Sequence, residues 1–399
     1  MGEVGMRKAP KWRSWMPTSR QLRFKLQSTL ARTFPAIGYR YNYFPDNAAP
    51  GLSPHQHLLT MDERSSRDLP QQVQAFFTEH GALEQSRYPL PITPSGHTQL
   101  RLHKLADTLV LGSTGATVLK SQHRQIEAAA PNTMRFARLK DRTIQSAAIN
   151  MLGMATGYRH YYHFLCDVAF PLLFLLEHLE PRTFPLKILQ REDLPEFQRE
   201  FYEFLAQDTP LLTLEECRTN ERIHCKTLYH CSPAMNCEFR APASEQAASM
   251  VATHYLAAYG LDMHKTPTQK LYIARDDAKT RRILNETTLI EQLEARGFQS
   301  VVPGKLTHRE QVKLFNSAKI IVGTHGAGLT NLLFTQAGGK LVEIFPADYI
   351  QSAYAWLSHV RGLEYAPVIG EMSGAHQHFT LPQTAIGQIL HEVDALEFA

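Results

Sequence analysis

The sequence predicts an α/β fold in two domains, and three observations carry that prediction. Strand-like and helix-like stretches alternate over about 125 residues of the C-terminal half, the pattern of a parallel, doubly wound sheet. Within it, the apolar run Ile320-Ile321-Val322 breaks at Gly323-Thr324-His325-Gly326-Ala327-Gly328. A helical pattern then begins at Leu329, with Leu332 and Leu333 on its inner face. The chain has 399 residues, 43% hydrophobic and 20% charged, which is enough for two ordinary domains with a large core.

The elements follow in order. Residues 1–50 read as a basic arm: up to residue 40, nine lysines and arginines stand against Glu3 alone, interleaved with Trp12, Trp15 and Phe24. Such an arm suits anionic lipid. The plainer reading is a tail lying on its own domain, because Met16-Pro17 interrupts any long helix. The first domain is expected over 51–243. Its turn material is at 47–51 and 89–94, with a helix at 71–80 closed by Gly81 and strands at 108–111 and 116–119. A helix follows over 157–177, then a strand at 186–189, a helix at 194–206 and a strand at 222–230. That is βα alternation, ending near 233–242.

The second domain is expected over 244–375. A helix at 244–259 closes at Gly260, and a strand at 270–274 runs into the loop Arg275-Asp-Asp-Ala-Lys-Thr-Arg-Arg282. Asn285 is placed to cap a helix over 286–296 that stops at Gly297. After a strand at 298–302, Thr307-His-Arg-Glu310 fits a capping box for a helix to 318. The glycine turn and its helix, expected to end at Gly338-Gly339, are followed by a strand at 341–345, a helix at 350–360 and a strand at 363–368. The final helix, 384–396, is expected to pack back on the first domain.

Composition excludes several classes. No run of 18 apolar residues predicts a membrane span, and no charged segment with an apolar core opens the chain, so the expected compartment is the cytosol, with the arm as a peripheral membrane contact. The five cysteines, Cys166, Cys217, Cys225, Cys231 and Cys237, show no Cys-x-x-Cys spacing and read as buried thiols. No metal site is expected.

Strand, glycine turn and helix start offer backbone N–H groups and a positive dipole end to an anion. Gly326 and Gly328 lack a Cβ and let the backbone approach a ligand. In such sheets ligands bind outside the carboxyl ends of the strands. There the sequence puts the turn, the loop with Arg275, Arg281 and Arg282, and Glu343 before Phe345-Pro346. Arginines beside a helix start suit a diphosphate, and Glu343 suits ribose hydroxyls. Asp276 and Asp277 read as solvated loop charges. His160, His163 and Asp167 stand at i, i+3 and i+7, on one helical face. They read as a general base with an orienting carboxylate, or as a half-buried histidine pair. Neither a Walker A motif nor a Gly-x-Ser-x-Gly elbow occurs. The alternative is an NAD(P)-dependent oxidoreductase, reading Gly326-x-Gly328 and Glu343 as a dinucleotide fingerprint, although Asn331 stands in place of its third glycine.

Together, Tyr272-Ile-Ala-Arg275 with Arg281-Arg282, Asn285-Glu286, the run from Ile321 through Gly323-Thr-His-Gly-Ala-Gly-Leu-Thr-Asn331, Val342-Glu-Ile-Phe-Pro346, and Tyr161-Tyr-His163 with Asp167 resemble glycosyltransferase family 61. The likeness covers roughly residues 150–370 and is most specific at 325–331. His160 stands where the family commonly has Asn, and Ala274 where it has Ser. The resemblance implies a GT-B architecture, two Rossmann-like domains facing across a cleft. It implies an inverting transferase that moves a sugar from a nucleotide-sugar, a UDP-sugar foremost, to a hydroxyl of a glycan acceptor in capsule or lipopolysaccharide synthesis. No obligatory cofactor and no nucleic acid are implied. Residue by residue, Arg275 and Arg281, with Arg282 in the same loop, would hold the diphosphate. His325, Gly326, Ala327, Gly328, Thr330 and Asn331 would form the donor turn, with Glu343 near the nucleotide. His163 or His160 would be the base, oriented by Asp167. Residues 1–100 resemble nothing further.

Overall fold

The computed structural model describes residues 55–63, 69–80, 98–112, 115–119, 124–126, 140–152, 159–179, 184–232, 245–262, 266–372 and 375–395. The basic arm, the turns at 47–51 and 89–94, the close of the 71–80 helix at Gly81, Cys237 and the boundary at 233–242 lie outside the described residues.

The chain begins with β1 (His55–Glu63), α1 (Gln71–His80), β2 (Thr98–Leu111), β3 (Thr117–Leu119), β4 (Arg124–Ile126) and β5 (Lys140–Asn150). A long helix follows in three pieces: α2 (Tyr161–His163), a π-helical segment (Phe164–Ala169) and α3 (Phe170–Leu179). Then come β6 (Leu186–Arg191), α4 (Glu196–Asp208), β7 (Leu212–Cys217), β8 (Glu221–Ser232) and α5 (Glu245–Ala258). The C-terminal half holds β9 (Gln269–Ile273), α6 (Glu286–Glu294), β10 (Phe298–Val301), α7 (His308–Asn316), β11 (Ala318–Thr324), a 3-10 helix (Ala327–Phe334), β12 (Lys340–Pro346), α8 (Ala353–Val360), β13 (Glu364–Met372), β14 (Phe379–Thr380) and α9 (Gln383–Ala395).

Two sheets organise these elements. The second runs β10-β9-β11-β12-β13-β14 and is parallel from β10 to β13. Its central strands are apolar runs because both faces are covered; every residue of β12 is buried. The strand order reverses between β9 and β11, which makes that edge the switch point where such sheets take ligands. The first sheet runs β4-β3-β2-β8-β5-β6-β7, with β1 on β2. Only β8, β5, β6 and β7 are parallel; β2 is antiparallel to β1, β3 and β8. The expected βα alternation therefore holds for half of this sheet. The links between β2, β3 and β4 are too short for a crossover helix, so those strands turn back on one another.

The sheets share one apolar core. Ile149, Leu186 and Ile188 of the first sheet and Leu271, Ile273, Ile321 and Leu341 of the second join one buried cluster with α3, α4 and α5. Tyr255 Oη of α5 donates to the Phe197 carbonyl of α4 at 2.7 Å. The two sheets lie on either side of residue 243 in sequence, and helices α3, α4 and α5 belong to the buried cluster they share.

Three placements differ from expectation. The final helix lays Ile386, Ile389 and Val393, an apolar stripe at helical spacing, on the second sheet beside Leu289 and Leu293 of α6, not back on the first domain. Helix α1 precedes the first sheet in sequence, yet Val73 and Phe77 pack with Phe345, Ile350 and Ala355 of the second-sheet side. The turn after β11 leads into a 3-10 helix ending at Phe334, shorter than the expected helix to Gly338 and with a correspondingly weaker dipole.

Local signals were mixed. Thr307 and Glu310 form the capping box reciprocally. Asn285 does not cap α6: its side chain pairs with the backbone of Leu381, donating to the carbonyl at 2.8 Å and accepting from the amide at 2.9 Å. Gly297, at φ +79, ends the turn after α6 as expected. A Cβ on Gly370 would lie 2.3 Å from the Phe379 ring and 2.9 Å from the Thr380 carbonyl. Gly370→Ala is therefore expected to destabilise the protein by about 1–3 kcal/mol in denaturant unfolding. Among the described residues no helix is long and apolar enough to cross a membrane.

Candidate active site

At the switch point, β9 delivers Arg275 and β11 delivers the glycine turn to the same sheet edge. Their contact is close: a Cβ on Gly326 would sit 1.5 Å from Arg275 Nη1 and 2.6 Å from its Cζ. Gly326 has an extended backbone, φ 171 and ψ 169, which any residue adopts. The glycine is required there by the guanidinium lying over it, not by its torsions. Gly328 is less confined; a Cβ would make ordinary contacts with Pro303 and Ile273.

Arg275 Nη2 donates to the Thr280 carbonyl at 3.3 Å, and its Nε has no partner among the described residues. Arg281 Cζ lies 4.4 Å from the centroid of the Tyr349 ring, and its Nε is likewise unpartnered there. Arg281 adopts φ +58, unusual for a residue with a side chain. Its amide donates to the His376 carbonyl at 3.1 Å, and the Arg282 amide to His378 Nδ1 at 3.1 Å, so residues 376–379 hold this loop in place. Burial and then the Arg281 charge hold the Arg275 guanidinium below its ordinary pKa. Two crowded, half-buried cations with spare donors form an environment that an anion relieves.

His325 is 5% exposed and lies within reach of both arginine charges. Its Nδ1 lies 2.5 Å from Glu343 Oε1, and Tyr365 Oη donates to Glu343 Oε2 at 2.6 Å. The imidazole stacks on Phe345 at 5.3 Å and lies 5.0 Å from the Tyr354 ring. Phe77 of α1 packs against both Phe345 and Tyr365. Burial pushes the Glu343 carboxyl well up and the His325 imidazole well down, the latter helped by Arg281 and Arg275. A protonated Glu343 donates to Nδ1 and leaves Nε2–H as a fixed donor on His325.

His160 and His163 come from the first-sheet side, their rings 4.8 Å apart. They do not share a face of one α-helix. His160 is the extended residue before α2, at φ −92 and ψ 119, and the π-helical winding begins directly after His163. Pro171 cannot donate to the Asp167 carbonyl, which favours wider winding there. The Asp167 side chain lies outside the described residues. Withdrawal of water, then His163 and then Arg281 push His160 down to about 4. Arg281 thus acts on His160 and His325 together, which joins the two sides of the site.

The remaining expected site residues are placed as follows. Glu343 is fully buried and committed to His325 and Tyr365, so it does not offer itself to a ribose. This also removes the acidic residue on which the oxidoreductase reading rested. Thr330 is fully buried with its hydroxyl 3.4 Å from Tyr354 Oη, and Asn331 is fully buried and turned into the protein. Arg282 is exposed, and its charge acts on Glu286. Ala327 and Gly328 remain half-buried at the start of the turn. Sequence reasoning missed Tyr349, Tyr354, Tyr365 and Phe77. The first two follow β12 at the carboxyl edge of a parallel strand, and that position was the available signal.

Residues 161–342 match the family model described as Glycosyltransferase 61. Among curated proteins, an EGF domain-specific O-linked N-acetylglucosamine transferase of Drosophila melanogaster is 30% identical over 149 residues, 33% of this chain and 28% of that protein. A beta-1,2-xylosyltransferase of Oryza sativa subsp. japonica is 33% identical over 92 residues, 21% of this chain and 17% of that one. An alpha-1,3-arabinosyltransferase of the same plant is 30% identical over 104 residues, 25% and 16% of the two chains. The chain therefore spans less than a third of the length of these relatives. An iron-containing dodecameric heptosyltransferase solved with ADP-D-beta-D-heptose covers 67% of this chain and 68% of its own at 14% identity, with a TM-score of 0.24, too slight a likeness to carry weight.

Proposed function

Residues 161–342 belong to glycosyltransferase family 61, a family of sugar-transferring enzymes, and from that premise we propose that this chain is an inverting glycosyltransferase of GT-B type. The second sheet takes a nucleotide-sugar, a UDP-sugar in the first instance, and the first sheet presents the acceptor hydroxyl of a glycan. The proposed setting is surface-polysaccharide synthesis, capsule or lipopolysaccharide, in the cytoplasm, with the basic arm on the inner face of the membrane. What carries the reading is the Arg275 guanidinium lying over Gly326 at the switch point, with Arg281 beside it.

In the proposed reaction the acceptor oxygen attacks the anomeric carbon as the bond to the diphosphate breaks. His163 takes the hydroxyl proton. His160, exposed and lowered to about 4, stands beside it as a neutral neighbour of Arg281. Arg275, Arg281 and the His325 Nε2–H receive the negative charge that develops on the leaving diphosphate.

Calorimetric titration with UDP, followed by a panel of nucleotide-sugars scored for nucleoside diphosphate release, tests this. His163→Ala is expected to keep UDP affinity and lose turnover by about 10²-fold or more. His160→Ala is expected to lose less. Failure of every nucleoside diphosphate to bind the intact chain would overturn the reading.

A further inference from the structure

Tyr161 stands between the two histidines in sequence, and its hydroxyl reaches the second-sheet side. Tyr161 Oη donates to Asn331 Oδ1 at 2.7 Å and lies 2.9 Å from His308 Nε2. His308 Nδ1 lies 2.8 Å from Tyr259 Oη, which lies 2.6 Å from Glu200 Oε2. At the other end, Asn331 Nδ2 donates to the Gly328 carbonyl and to Gln311 Oε1, each at 3.0 Å. An unbroken chain thus runs from Glu200 on α4, through the end of α5 and the first residue of α7, to α2 and the glycine turn. His308 is 3% exposed and Asn331 fully buried, so water does not substitute freely for these partners.

The hydrogens can be counted. The Asn331 nitrogen faces two acceptors, so its oxygen can only accept and Tyr161 must donate to it. Tyr161 has a single hydroxyl hydrogen, so its oxygen accepts from His308 Nε2–H. A neutral His308 then accepts at Nδ1 from Tyr259. That uses the only hydrogen of Tyr259, so closing the last link as well needs a protonated Glu200; to an ionised Glu200 it is Tyr259 that donates. With Glu200 ionised and His308 neutral, one link has no hydrogen.

We propose that this chain is a one-proton coupler that seats the helix start bearing His160 and His163 on the glycine turn, with Tyr161, His308 and Asn331 as positioning residues and Glu200 as its titrating end. Burial pushes His308 down to about 3 and Glu200 up, so of the two Glu200 is the end that holds the shared proton to higher pH. Glu200 is faced by Glu196, Arg199 and Glu203 on its own helix, and by Tyr259 and His308 from the other side, with Arg309 beside Tyr259. A carboxyl raised in the folded state contributes stability that is fully present below its ordinary value and is lost as pH rises through the raised value. Above that point Tyr259 turns its hydrogen to the carboxylate, and His308 Nδ1 loses its donor.

The coupler rests on the proposed function only in the choice of UDP as probe and in the turnover profiles; the exchange profile without ligand is independent of it. The experiment is amide hydrogen exchange of residues 159–169 in the intact chain, with and without UDP, from about pH 5 to about pH 9, beside the pH profiles of kcat and KM. In wild type, protection corrected for intrinsic exchange is expected to fall about fivefold to tenfold as pH rises, roughly one hydrogen bond. Glu200→Gln, whose amide donates to Tyr259 at every pH, is expected to abolish that fall and to flatten the alkaline limb of kcat with KM little changed. Tyr161→Phe is expected to bind UDP without passing protection to residues 159–169. A Glu200→Gln profile that tracks wild type would overturn the coupler, and that comparison remains decisive where Tyr161→Phe folds poorly. Absence of UDP binding would count against the donor reading alone, since the exchange profile without ligand still decides the chain.

Discussion

Gly326→Ala is expected to fold like wild type and to lose affinity for UDP by about 10²-fold to 10³-fold. The added methyl meets Nη1 and Cζ of Arg275, the far end of a flexible side chain, so the backbone need not move. The guanidinium must swing away, and with it goes the charge that the turn presents to a phosphate. Calorimetric titration beside a thermal scan separates the two effects. Undiminished UDP affinity in this variant would show that the contact between Arg275 and the turn is not where the diphosphate sits. Gly370→Ala is the contrasting case, because there the clash is with a buried ring and a backbone carbonyl.

Glu343 gives the second large effect, and its sign depends on where one proton lies. With the carboxyl protonated, Glu343 donates to His325 and accepts from Tyr365. An amide does both. Glu343→Gln is therefore expected to keep the melting temperature within about 2 °C and turnover within a few-fold. Glu343→Ala strands a buried ring nitrogen and a buried hydroxyl at about 1–3 kcal/mol each, and leaves a cavity besides. It is expected to cost roughly 3–5 kcal/mol in denaturant unfolding. Because the carboxyl is raised on folding, wild type loses this contribution as pH climbs through the raised value, and Glu343→Gln removes that loss. If Gln proved as damaging as Ala, the pair would instead be an imidazolium with a carboxylate.

The second sheet was largely legible in the sequence. Its strands are short apolar runs covered on both faces, separated by helices with apolar stripes, and this period survives without knowledge of partners. That Arg275 and the His325–Gly328 turn share one sheet edge followed from both standing at the carboxyl ends of strands; that β9 and β11 are neighbours is seen only in the fold. The first sheet was less legible, because an apolar strand carries no mark of whether its neighbour runs parallel or antiparallel. Side-chain pairing was harder still. Asn285 had the right position and residue type for a cap, but Leu381, almost a hundred residues on, offers it two bonds where the cap offers one. Glu343 has the composition of a ligand-binding carboxylate, and only the register of β12 with β13 reveals Tyr365 beside it. Asn331 fits a donor motif in sequence, while Tyr161 and Gln311, which claim its side chain, come from distant parts of the chain.

The helical layer common to both sheets bears on how such a chain diversifies. With Tyr255 hydrogen-bonded into α4, and Leu332 and Phe334 buried in the cluster that also holds first-sheet residues, neither half is an exchangeable cassette. Transplanting the C-terminal half from a relative would cut through the interior of the protein and expose its apolar packing to water. Sequence change is more cheaply absorbed in the loops that follow β9 and β12, residues 275–282 and 346–352, which leave the scaffold beneath them intact.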